Sequence, residues 1–284
     1  GLAMAYNYNA LFGYLPPAEA FRLVEAEARK AIELNPFLAE AHNALADLKK
    51  NRDWDWQGAQ ASYERAIRLN PSYALAHTWY GECLSRMGRH EEAIQLAERA
   101  RVLDPISMLS NTGLGMLLYR ARRYERAIVA CDRALELAPH PNSQWFRSLA
   151  CSQLGRHAEA VAGLRKAVSL SNAPIFLAAL AFVLARAGEM REARTMLKEL
   201  RTLVGEKKLS PADLGVVLAA VGDTEEAFGF LERAYAMGDA RMQVLGPELD
   251  ILASDSRWRD LSRRIRARGM GETGFVPLAE AGFR

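Results

Sequence analysis

The stretches AIRLNP (66–71), ARVLDP (100–105) and ALELAP (134–139) decide the fold, because one phrase returns three times. The prolines that close these stretches stand 34 residues apart. Repetition at this period is typical of solenoids made of helical hairpins, in which each unit packs on the next. The 34-residue period therefore predicts a stack of paired helices in the central part of the chain.

Small residues recur with the same spacing in two further series. The first series is Ala59, Ala93, Ala127, Ala160, Ala193 and Ala227, and the second is Ala46, Gly81, Gly115, Ser148, Ala181 and Gly215. Two helices can approach to about 8–10 Å only where the side chains between them are small. We therefore expect Gly81 to face Ala93, and Gly115 to face Ala127, where the helices of a pair cross.

These series predict an all-α chain with three parts. Residues 1–236 are assigned to seven helical hairpins, of which the first and the fifth are divergent. Residues 237–268 are assigned to C-terminal capping helices that shield the last apolar face, and residues 269–284 to a tail. Gly88 is expected to end its helix in a left-handed conformation, whereas Arg122 replaces the equivalent glycine.

Two features leave alternatives open. The loop Asp53–Trp56 (DWDW) carries one residue more than its counterparts, and its tryptophans either pack over a helix junction or recognise a ligand. Arg147 stands where the neighbouring units place Tyr80 or Leu114. Either its helix is rotated, or the arginine pairs across an interface.

Composition and charge exclude some classes of protein. A net charge of +3 gives no argument for nucleic acid or membrane. No apolar run approaches the roughly 20 residues of a membrane span. The opening GLAMAYNYNA has neither an initiator Met nor the basic region of a secretory signal, and we expect a fragment of a longer protein. Three cysteines without a CxxC pair indicate a reduced, cytoplasmic protein.

The repeat motif resembles the tetratricopeptide repeat family, whose pattern has a Leu-Gly-x-x-Tyr phrase, a spaced alanine series and a closing proline. The matching residues are Tyr80-Gly81 with Ala93, Ala100 and Pro105, and Leu114-Gly115 with Ala127, Ala134 and Pro139. The resemblance covers about residues 2–236. It implies a right-handed superhelical solenoid of antiparallel helix pairs that binds protein partners on its concave face.

A narrower resemblance concerns the kind of parent protein. The phrases GLAMAYNYNALFGYLPPAEAF, DWDW, HTWYGECLSRMGRHEEAI and PELDILASDSRWRDL are similar to the C-terminal repeat regions of large bacterial signalling proteins. In those proteins the repeats follow a winged-helix, nucleotide cyclase or kinase domain. This resemblance implies a regulatory role.

Motifs of catalysis are missing from the sequence. It contains no GxSxG, GxxxxGK[ST], GxGxxG or HExxH motif. His42 and His77 are 35 residues apart, but no further ligands accompany them at helical spacing, so repeat equivalence explains the pair better than a metal does. We expect no enzyme activity, no cofactor and no metal.

The resemblance places the binding surface on the first helix of each hairpin. The candidate groove residues are Asn43, Asp47, Thr78, Glu82, Arg86, Thr112, Met116, Tyr119, Arg120, Phe182 and Arg186. Arg86, Arg120 and Arg186 share one slot near the helix ends, where they either bind a ligand or complement the helix dipole. The expected partner is a protein or peptide segment of mixed charge with apolar anchors.

Two rival functions remain. The final helix, RWRDLSRRIRAR, carries six arginines and could contact nucleic acid, although a solvated cap is the favoured interpretation. Alternatively, the chain forms a homo-oligomer, through Phe275–Leu278 or through an uncapped N-terminal hairpin.

Overall fold

The computed structural model describes residues 17–271, and within that range every regular element is helical. The α-helices are α1 (Pro17–Leu34), α2 (Ala39–Leu48), α3 (Trp56–Leu69), α4 (Ala74–Arg86), α5 (His90–Leu103), α6 (Met108–Arg120), α7 (Tyr124–Leu137), α8 (Pro141–Gln153), α9 (His157–Leu170), α10 (Pro174–Arg186), α11 (Met190–Gly205), α12 (Pro211–Ala220), α13 (Thr224–Ala236) and α14 (Ser256–Met270). The first half of the expected first hairpin, the tail beyond 271 and the segment Phe275–Leu278 lie outside the described residues.

Consecutive helices pack as pairs. The pairs are α2 with α3, α4 with α5, α6 with α7, α8 with α9, α10 with α11 and α12 with α13, while α1 packs on α2. We call the earlier member of each pair its first helix and the later member its second helix. Each pair also contacts the next pair. The architecture is a superhelical solenoid, as the period predicts.

Small residues lie at the crossings of the pairs. A Cβ atom built at Gly81 would lie 2.8 Å from the carbonyl oxygen of Ala93, and one built at Gly115 would lie 3.4 Å from that of Ala127. Every alanine of the Ala59 series is at most 1% exposed. The expected pairing of these glycines with these alanines is confirmed.

The turns explain two irregularities of the repeat. Gly88 has φ +84°, as expected for a left-handed helix end, and Arg122 adopts φ +60° at the equivalent place. The extra residue before Trp56 is accommodated by a π-helical turn over Lys49–Asp53, which widens the end of α2. The insertion therefore changes the helix end and leaves the stacking of the pairs in place.

The divergent fifth unit keeps the same pairing through polar contacts. Arg147 donates to Asp132 on the preceding helix at 2.5 Å and lies 3.5 Å from Glu159 on the following one. Arg147 therefore pairs across an interface, the second of the two alternatives. Cys131 and Cys151 nearby are buried, free thiols.

Beyond α13 the chain changes character. Two 3-10 helices, Ala240–Gln243 and Pro247–Leu252, precede α14, whose N-terminus is capped by the side chain of Asp255. Helix α14 packs both on α13 and on α3, near the opposite end of the described stack. None of the helices in residues 17–271 is long and apolar enough to cross a membrane.

Candidate binding groove

The first helices line the inside of the curved stack. From α4 to α12, each first helix packs on the first helix of the next pair. In contrast, the second helices α5, α7, α9 and α11 make comparable contacts only with the helices that adjoin them in the chain. A stack whose first helices approach one another more closely curves toward them, so their free sides form the concave groove.

The predicted groove residues are almost all covered. The buried ones are Asn43, Asp47, Thr78, Glu82, Arg86, Thr112, Met116, Tyr119 and Phe182, whereas Arg120 and Arg186 are half-buried. The structure brings Asp47, Glu82, Arg86 and Arg120 into one network. Thr112 bonds instead with Ser143 of the next first helix, at 2.6 Å between the hydroxyl oxygens.

The network is centred on the buried carboxylate of Glu82. Lys50 Nζ donates to it at 2.7 Å, Arg86 at 3.1 Å and Arg120 at 3.4 Å. Lys50 also pairs with Asp47 at 3.0 Å, and the hydroxyl of Tyr63 donates a hydrogen bond to Asp47. Three successive first helices and the π-helical turn are thereby joined by charge.

Burial and the neighbouring charges shift the pKa of Glu82 in opposite directions. Burial alone would raise the pKa of its carboxyl, but Lys50, Arg86 and Arg120 together hold that pKa well below its usual range. The carboxylate is therefore charged at neutral pH. Removing it would leave buried cations without their partner, which is far more costly than losing an exposed ion pair.

A C-terminal segment of the chain itself, residues 240–252, occupies the groove beside this network. The amide of Gln243 is bound on both sides: its Oε1 accepts from Trp56 Nε1 at 2.7 Å and from Arg86 at 2.9 Å. Its Nε2 donates to the carbonyl oxygen of Asn51 at 3.1 Å. A residue from outside the repeats thus satisfies polar groups that the repeats present on their concave side.

The following residues continue along the groove. Gln153 at the end of α8 donates to the carbonyl oxygen of Pro247 at 3.1 Å. Arg122, in the turn after α6, pairs with Asp250. Arg241 of the same segment donates to Asp213 on α12 at 2.6 Å. The segment 240–252 therefore spans the concave side from α4 to α12, and residues 237–268 do more than cover the last helix pair.

The two tryptophans of the DWDW loop hold this segment in place. Both rings are 1% exposed. Trp54 Nε1 donates to the carbonyl oxygen of Gly238 at 3.2 Å, and Gly269 of α14 packs directly on the ring of Trp56. Packing over a junction is thus the structural role of these rings, and the junction is between the α2–α3 pair and the C-terminal part of the chain.

The arginines of α14 mostly contact the protein itself. Arg257 pairs with Glu225, Arg263 with Asp260 and Arg264 with Glu232, while Arg268 lies over the ring of Trp54. Except for the Arg263–Asp260 pair, which lies within α14, these contacts use the positive charge to attach the helix to the rest of the protein. No observation here favours contact with nucleic acid.

Several groove residues were missed by the sequence analysis, notably Lys50, Asn51 and Gln243. The one available signal was the extra residue in the 35-residue interval from Pro36 to Pro71, which marks the π-helical turn. Gln243 lies in a stretch without periodicity and gave no signal. Within residues 17–271, no group of three or more His, Cys, Asp or Glu side chains could hold a metal ion.

Comparison with protein-family models identifies the repeats. One tetratricopeptide repeat model matches residues 54–105 and 112–174, and another matches residues 174–199. The chain contains tetratricopeptide repeats. The matched residues include the motif residues Gly81 and Ala93 of one helix pair and Gly115 and Ala127 of the next. Comparison with curated protein sequences gives no match.

Solved structures share the TPR architecture. A tetratricopeptide repeat protein from Parabacteroides merdae is 14% identical, with a TM-score of 0.60, over 94% of this chain and all of that one. A chain of the APC/C hetero-tetramer Cut9–Hcn1 is 15% identical, with a TM-score of 0.59, over 84% of this chain and 45% of that one. PilW, a type IV pilus biogenesis factor, is 21% identical, with a TM-score of 0.54, over 76% and 98% of the two chains. At these identities the likeness concerns the fold alone.

Proposed function

We propose that this chain is a non-enzymatic interaction module that binds a segment of a partner protein on its concave face. TPR repeats are protein-interaction scaffolds. The observation that carries the proposal is the binding of Gln243 by Trp56, Arg86 and Asn51. It supports a groove whose chemistry holds a segment that is not part of the repeats.

The occupied groove limits where a partner can bind. Between α4 and α8 the C-terminal segment covers the ends of the first helices and forms hydrogen bonds with Arg86 and Gln153. At the C-terminal ends of α10 and α12 an open cleft remains beside this segment, and Arg186 and Met190 line it. We therefore place the partner's segment at this C-terminal part of the groove.

Site-specific photocrosslinking tests this placement. A photoreactive amino acid replaces Met190, which is 40% exposed at the groove edge, in cells of the source organism. The control position is Val129 on the second helix α7, which is 69% exposed. We expect a discrete crosslinked partner from position 190 and none from position 129. A partner captured only from position 129 would move the binding surface to the outer face and contradict the proposal.

We also propose that the module is the regulatory part of a larger bacterial signalling protein. The support is the similarity of the DWDW and PELDILASDSRWRDL phrases to the repeat regions of such proteins. The gene sequence upstream of Gly1 tests it. An upstream winged-helix, cyclase or kinase domain is expected, and an open reading frame that encodes only repeats would contradict it.

A cytoplasmic location is part of the same proposal. Its support is that Cys83, Cys131 and Cys151 are all free thiols. Fractionation of the source cells should find the protein with cytoplasmic markers. Recovery with an oxidising extracytoplasmic compartment would contradict this part.

A further inference from the structure

An open cleft lies next to the C-terminal segment, where the first helices α10 and α12 end. It measures about 350 Å³ and is bounded by the ends of α10 and α12 and by Ile251. Its walls are mainly small and apolar, formed by Ala185, Ala219 and Val221, with Met190 at the edge. One charged side chain, Arg186, lines it. The cleft therefore combines an apolar surface with a single cation.

Arg186 differs from the two arginines that occupy the same slot in earlier repeats. Arg86 donates to Glu82, Asn51 and Gln243, and Arg120 donates to Glu82. Arg186 has no hydrogen-bond or ion-pair partner within residues 17–271, and its Nε atom is buried without an acceptor. A guanidinium is always charged, and burying part of it without an acceptor is unfavourable.

The chain's own C-terminal segment shows what this side of the stack accepts. In the sequence PELDIL (247–252), Asp250 pairs with Arg122, which follows α6. The adjacent residue Ile251 lies against the cleft. The acidic residue of this segment thus pairs with an arginine just after a first helix, while the apolar residue beside it forms part of the wall of the Arg186 cleft. Arg186, two pairs further along the stack, lies beside this apolar wall and has no acidic partner within residues 17–271.

We propose that the cleft at Arg186 binds an acidic residue, Asp or Glu, with an adjacent aliphatic or aromatic residue in a partner protein. The carboxylate accepts hydrogen bonds from the Arg186 guanidinium, and the apolar side chain contacts Ala185, Ala219 and Ile251. This inference rests on the proposed function and specifies the chemistry of the partner segment. Charge-assisted bonds of this kind are stronger than neutral ones, so Arg186 should govern affinity.

Selection from a random peptide library tests the inference. A phage-displayed library is selected on the full chain, and the enriched peptides are synthesised and titrated against the wild type, Arg186→Ala and Arg191→Ala. Arg191 is a matched control, because it is an exposed arginine on α11 that does not line the cleft. We expect enriched sequences to contain Asp or Glu next to an apolar residue. Their affinity should fall about tenfold or more in Arg186→Ala and stay unchanged in Arg191→Ala.

Three outcomes would overturn the inference: no enriched peptides, peptides without acidic residues, or peptides that bind Arg186→Ala as tightly as the wild type. An unfolding curve of Arg186→Ala that matches the parent shows that any lost affinity does not come from lost structure. If position 190 crosslinks a partner whose binding is insensitive to Arg186, this inference fails while the proposed function stands. If position 190 captures nothing, the proposed function itself fails.

Discussion

Replacing Gly81 by alanine tests whether close helix crossings hold the stack together. A methyl group at this position would lie 2.8 Å from the carbonyl oxygen of Ala93 and 3.0 Å from Cδ1 of Leu117. The first of these atoms belongs to the backbone and cannot rotate away. Helices α4 and α5 must therefore separate, and overpacking of this kind costs about 1–3 kcal/mol.

The helix propensity of alanine acts in the opposite direction. Replacing a glycine within a helix by alanine stabilises the helix by about 0.5–1 kcal/mol. Gly229 on α13 isolates this gain, because a methyl group there would meet no heavy atom within 4 Å. We therefore expect Gly229→Ala to be more stable than the parent, and Gly81→Ala to be less stable than the parent by up to about 2.5 kcal/mol.

Urea unfolding followed by circular dichroism measures both variants under the same conditions. The difference between their free energies of unfolding cancels the propensity gain and leaves the overpacking cost of about 1–3 kcal/mol. In thermal melts each kcal/mol corresponds to about 2–4 °C for a chain of this size. The reasoning is refuted if Gly81→Ala is as stable as Gly229→Ala, because the crossing would then tolerate a larger residue.

Three further predictions concern the groove and the core. Gln243→Ala leaves the indole N–H of Trp56 without its acceptor, so we expect the free energy of unfolding to fall by about 1–3 kcal/mol and amide hydrogen exchange in residues 240–252 to become faster. Unchanged exchange in these residues would contradict the prediction. Glu82→Ala leaves Arg86 and Arg120 without a carboxylate partner and should cost about 3–5 kcal/mol, against less than about 1 kcal/mol for the exposed Glu91→Ala. The folded protein lowers the pKa of Glu82, so the stability that its charge contributes is complete above the pKa of an unfolded glutamate, about 4.3, and is lost as the pH falls through the folded pKa. The free energy of unfolding in urea should therefore differ less between the wild type and Glu82→Gln in acid than at neutral pH. A difference that does not change with pH would refute this linkage. Burial raises the pKa of the Cys83 thiol to about 11, so a disulfide reagent at neutral pH should label it only as the protein unfolds, and immediate labelling of the native chain would show the burial to be wrong.

The sequence predicts the repeated part of the fold well, for a physical reason. A crossing such as that of Gly81 and Ala93 requires small residues at both positions, and that requirement returns in every unit. Turn chemistry was predictable in the same way at Gly88. Arg122 was noted as a missing glycine, and the structure adds that its side chain pairs with Asp250.

The contents of the groove could not be predicted in this way. Trp56 and Gln243 are 187 positions apart, and Gln243 lies outside the repeated units. Part of the contact is made by carbonyl oxygens, those of Asn51 and Gly238, which any residue type supplies. Resemblance to the repeat family indicated which helices face inward, but the occupant of the groove is a property of this chain's own C-terminal segment.

The bond from Trp54 to Gly238 has a thermodynamic consequence for the whole stack. In an open array each unit contacts only its neighbours, so end units unfold one by one while the middle persists. Here the α2–α3 pair and the α12–α13 pair are joined through Trp54, which also contacts the ring of Tyr235. Unfolding either end of the stack therefore also removes contacts from the other end. We therefore expect the two ends of the stack to unfold together and its curvature to stay fixed.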